Sequence, residues 1–165
     1  MKRILKMAGI TILLLFVLLQ FYPRGGANKS ADTLKDITRV HNVPPGVQKI
    51  LTAACYDCHS NNTTYPWYAN IQPVAMWLKD HIDEGKKELN FSEYAGYNLA
   101  RRFRKLEEIG KEVKEGEMPL KSYTLVHREA ALTTKERSML ANWSETLRDS
   151  MRNVYPADSL VRKKN

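Results

Sequence analysis

The sequence predicts an all-α domain behind an apolar N-terminal segment, and three observations predict it. Apolar residues recur at helical spacing in four stretches, helix-start and helix-stop residues bound them, and no stretch reads convincingly as a strand. "PPGVQKILTAA" opens on prolines and places Val47, Ile50, Leu51 and Ala54 at helical spacing. "IQPVAMWLKDHIDEG" has Pro73 suited to a first turn and Gly85 suited to a stop. "FSEYAGYNLARRFRKLEEIGKEVKEG" is expected as one helix from Ser92 to Gly116, with Leu99, Phe103, Leu106, Ile109 and Val113 in register. The last helix opens at "LTTKE", where Thr133 and Glu136 suit a capping box; Leu140, Trp143 and Leu147 then lie along one face. There is no internal repeat.

The N-terminus, "MKRILKMAGITILLLFVLLQFYPRGG", carries Lys2, Arg3 and Lys6 ahead of an uncharged apolar run from Met7 to Tyr22. A basic start before an apolar core is an export signal. It is expected as an uncleaved anchor, with Ile4 and Leu5 extending the run towards the roughly 20 residues of a full span. A removed signal peptide is the alternative, with Gly25 and Ala27 as the small pair at the right separation. Charge before the span keeps the N-terminus in the cytoplasm and sends the rest across the cytoplasmic membrane, to the periplasmic or extracytoplasmic side. The expected organisation is a signal anchor over 1–24, a linker over 25–42, one domain over 43–155 and a polar tail over 156–165. The net charge is +8, of which +5 remains from Met7 onward. Basic residues interleave with acidic ones in "RRFRKLEEIGKEVKEGE", which reads as a solvated helix face and argues against nucleic acid as a partner.

The chain holds two cysteines, both in "CYDCHSNNTTYPWY". Structural zinc needs four ligands, and Cys55, Cys58 and His59 supply three at most, with no second knuckle following. A redox dithiol needs a helix start after a strand, whereas the upstream stretch is helical. The remaining chemistry is covalent haem. In C-x-x-C-H both thiols add across the haem vinyl groups, and the adjacent histidine, His59, becomes an axial ligand of the iron. Export into an oxidising compartment with no other cysteine strengthens that reading.

The sixth iron position has two main candidates. Met118 stands in "EGEMPLKSY", after a helix stop and directly before Pro119, in a loop stiffened by the proline. His81 lies mid-helix between Asp80 and Asp83, and would give a bis-histidine haem. Met76 reads as core packing, His127 as a helix-end hydrogen-bonding residue, and His41 as a linker residue. Tyr65 and Trp67 can cover a haem edge while their polar tips meet propionates or water.

"CYDCHSNNTTYPWYANIQPVAMWLKDHIDEGKKELNFSEY" followed by "GEMPLKSYTLVHREAALTTKERSMLANW" resembles the bacterial haem-binding domain family of small, membrane-anchored c-type cytochromes. More loosely, a methionine–proline loop before a C-terminal helix is similar to the monohaem cytochrome c pattern, which implies a cytochrome c-like helical domain with Met118 as the distal ligand. The expected function is electron transfer by one covalent haem c towards an unidentified redox partner, rather than an enzymatic reaction. The alternative is a haem peroxidase or small-gas sensor, which needs an open or displaceable sixth position.

Overall fold

The structure, a computed structural model, describes residues 1–23, 28 and 33–161. Among these residues all regular structure is helical. The α-helices are α1 (Lys2–Leu19), α2 (Pro45–Ala54), α3 (Tyr56–His59), α4 (Val74–Glu88), α5 (Leu99–Glu115), α6 (Lys121–Thr124) and α7 (Thr134–Val154). Short 3-10 turns, such as Phe91–Gly96, connect them.

The core is the seam between α5 and α7, closed at one end by α2. Leu106, Ile109 and Val113 recur at helical spacing on α5, and Leu140, Trp143 and Met151 do so on α7; all are buried. α7 begins where expected: Thr133 accepts from the Glu136 backbone, and the Glu136 side chain bonds back to the cap. Such a cap is worth about 1 kcal/mol. At its far end α5 stops on Gly116 at φ 81°, a left-handed conformation that a side chain would strain.

Four helix expectations need correction. The stretch from Ser92 to Gly116 is not one helix: a 3-10 turn ends at Gly96, and α5 starts afresh behind Asn98. The Asn98 side chain accepts from Arg101 N at 2.8 Å, so a competing cap breaks the pattern. Gly85 is not a stop, because α4 runs on to Glu88. Met76 is 37% exposed rather than a core residue. The charged face of α5 hides Lys105, which is 3% exposed.

The segments expected as linker and as polar tail both contribute to the core. Ile37, within the segment expected as linker, and Leu160, in the expected tail, join the buried cluster. His41 is half-buried against Tyr94, and burial, with Arg102 nearby, lowers its pKa to about 4. Anchor position 24, linker positions 25–27 and 29–32, which include Gly25 and Ala27, and tail positions 162–165 lie outside the described residues.

No helix among the described residues is long and apolar enough to cross a membrane. The expected span from Ile4 to Tyr22 is corrected accordingly: α1 has 18 residues, ends at Leu19, and carries Lys2, Arg3 and Lys6 in its first turns. Its length is about 27 Å, against about 30 Å for a hydrocarbon core. None of its side chains is buried. Its end is fastened to the domain by Gln20, which donates to Gln72 O at 3.1 Å and accepts from Gln72 N at 3.0 Å.

Candidate functional site

α2 ends at Ala54, and the chain turns at Cys55 into the single turn α3. The Cys55 carbonyl accepts from Cys58 N at 3.2 Å and from His59 N at 2.9 Å, so both cysteines and the histidine share one tight turn. Both thiols are free and half-buried. Burial, with a smaller push from the Cys58 thiol, raises the Cys55 pKa to about 12. Burial and the Asp57 carboxylate raise Cys58 to about 11. Protonated thiols do not suit a redox dithiol. Among the described residues there is also no group of three or more His, Cys, Asp and Glu side chains able to hold a bare metal ion.

His59 is oriented by the end of α4. Its Nδ1 lies 2.9 Å from Gly85 O and 3.0 Å from Leu89 O. Carbonyls only accept, so Nδ1 carries the proton and Nε2 presents the lone pair that a metal needs. Burial lowers the His59 pKa more than the two carbonyls raise it, so the ring stays neutral. The missing side chain of Gly85 permits this approach, since a Cβ there would lie 2.7 Å from the Cys58 carbonyl oxygen.

Met118 reaches the same place from the other helix pair. After Gly116 turns the chain, Met118 N bonds Glu112 O at 3.2 Å. Arg137 of α7 donates to Val113 O at 2.8 Å and to Met118 O at 3.1 Å, which ties this loop to the core. Cys55, His59 and Met118 line one cavity of about 250 Å³. Leu89, Phe91, Ile109, Val113 and Leu140 give it apolar walls.

The remaining candidates lie elsewhere. His81 is outside the lining of that cavity; its Nδ1 sits 2.8 Å from Trp77 O and its ring lies 4.3 Å from that indole. Tyr65 and Trp67 are also outside the lining, and Trp67 is 75% exposed. Cys58 is likewise outside that lining, although it shares one turn with Cys55. Sequence reasoning passed over Lys105, which lines the cavity and pairs with Glu88 at 2.9 Å and Glu108 at 2.5 Å. Its position between Phe103 and Leu106, four residues before Ile109, is the only signal that it faces inward.

The donors fit a tetrapyrrole iron better than a bare ion: paired thiols beside an anchored neutral imidazole, and a thioether on a shared apolar cavity. An all-helical frame with this set defines a small helical haem-binding domain. A family described as a haem-binding domain matches residues 14–146, and the chain belongs to that family. No curated protein and no solved structure matches.

Proposed function

We propose that the chain is a monohaem c-type electron carrier attached to the outer side of the cytoplasmic membrane. The observation that carries this reading is that Cys55, His59 and Met118 line one cavity. Cys55 and Cys58 would form the thioether bonds, His59 Nε2 would be one axial ligand and Met118 Sδ the other. Haem held in this way supplies one-electron iron(III)/iron(II) chemistry, and thioether axial ligation raises its potential. The chain's residues orient the ligands and exclude water. The cavity is slightly below the roughly 300–1,000 Å³ of small-molecule sites. Glu88 and Glu108, whose side chains are 59% and 36% exposed, form its outer wall where they pair with Lys105.

The carrier is favoured over a peroxidase or gas sensor because Met118 lines the cavity with His59 and can fill the sixth position that either alternative needs open. α1, apolar around its circumference after Lys6, is the membrane-attachment element, and the basic charge from Met7 onward suits an acidic redox partner. The test is acid–acetone extraction of the purified full-length protein, followed by denaturing electrophoresis with haem staining. The stained band should survive extraction, and should disappear when Cys55 and Cys58 are both changed to Ala. A band bleached by extraction in the unaltered protein would overturn the covalent reading.

A further inference from the structure

Two hydrogen bonds across the fold fasten the segment after Met118, one to the attachment turn and one to the loop that follows that turn. Tyr123 Oη donates to Asp57 Oδ2 at 2.7 Å, and Asp57 sits between the two cysteines. Four residues further on, His127 Nε2 lies 2.6 Å from the Tyr68 hydroxyl. The Tyr123 and His127 rings stack at 4.4 Å with 15° between their planes, so the two bonds act as one clasp. The other side of the clasp is equally tied. Asp57 Oδ1 accepts from Thr64 N at 2.8 Å, and Thr63 Oγ1 donates to Asp57 O at 2.8 Å. The polar and aromatic loop "NNTTYPWY" thus fixes the Asp57 carboxylate and supplies Tyr68.

Met118 therefore stands between two anchors. Arg137 holds its carbonyl and the end of α5 on one side. On the other, α6 begins three residues later and carries Tyr123. We propose that Asp57 and Tyr123 are positioning residues for the Met118 thioether, tying the sixth-ligand loop to the same turn that carries the cysteines and His59. The proposal rests on the reading of Met118 as an axial ligand. A loop fastened at both ends loses little freedom when its methionine binds iron, whereas a loop freed at one end must be ordered at that moment. The tie thus resists displacement of Met118 by competing ligands without touching the iron.

Tyr123→Phe removes the hydroxyl and keeps the ring against His127. The full-length holoprotein should retain its covalent haem and its near-infrared methionine–iron band. Imidazole should then displace that band at a concentration about tenfold or more below that needed for the unaltered protein, the scale expected from losing a hydrogen bond to a charged group. Asp57→Asn keeps an acceptor of the same size and should give a smaller shift in the same direction; it carries the comparison if Tyr123→Phe is not recovered. A purely structural role would lower the melting temperature and leave the imidazole midpoint unchanged, which would overturn the proposal. A methionine band absent from the unaltered protein would instead remove the reading on which the proposal rests. A band present there but equally resistant to imidazole in both variants would sink the tie alone.

Discussion

His59 and Gly85 meet where two backbones nearly touch: the Gly85 carbonyl accepts a hydrogen bond from His59 Nδ1 at 2.9 Å, while a Cβ on Gly85 would lie 2.7 Å from the Cys58 carbonyl oxygen. The same residue therefore orients the imidazole and leaves room for the turn that carries it.

Gly85→Ala should force α4 away from the Cys58 backbone, because neither side of that contact is a flexible side chain. We expect a loss of about 1–3 kcal/mol in stability, as for an overpacked core, together with less covalent haem per chain. Thermal melts and haem-to-protein absorbance ratios measure both. An unchanged haem ratio would show that the His59 anchor is not needed for attachment.

The buried thiols give a pH prediction for protein made without haem. Cys55 and Cys58 are pushed up to about 12 and about 11, so both bind protons in the folded state at pH values where unfolded thiols have begun to ionise. Below about 8.5, the unfolded thiol value, both states hold their protons and the shift leaves stability unchanged; as pH rises from there through the folded values the unfolded thiols ionise first and stability is progressively lost. Alkylation by iodoacetamide at pH 8 should be at least about tenfold slower than in denaturant. Equal rates would mean that the turn does not form without haem.

Lys105 should separate packing from charge. Lys105→Ala leaves a hole beside Glu88 and Glu108, and is expected to cost about 2–3 kcal/mol; Lys105→Met, which keeps most of the volume, should cost less than about 1 kcal/mol. Both carboxylates remain partly exposed, so water compensates much of the lost ion pair. Urea titration of the two variants checks the difference.

These cases show what could be read from the chain alone. Leu106, Ile109, Val113, Leu140 and Trp143 announced their helices and their burial through spacing, and Thr133 with Glu136 marked the start of α7. Cys55, His59 and Met118 stood out as candidates because each residue type has a specific chemistry, and all three line one cavity. The roles of Gly85 and Tyr123 were not, because each depends on a contact 26 or 66 residues away. Lys105 was hidden by its neighbours: a cation in a charged run reads as solvated until a second element covers it. The break at Asn98 was missed for a local reason, since one capping side chain outweighs a continuous apolar register.

The central claim is that Met118 and His59 face one iron from the same cavity, and substitution of the two sixth-ligand candidates tests it most directly. Near-infrared spectra of the oxidised protein and carbon monoxide binding by the reduced protein should be compared for Met118→Ala and His81→Ala. We predict that Met118→Ala abolishes the methionine–iron band and opens the reduced haem to carbon monoxide, while His81→Ala leaves both unchanged. A high-spin haem in His81→Ala, with Met118→Ala indistinguishable from the unaltered protein, would contradict the account.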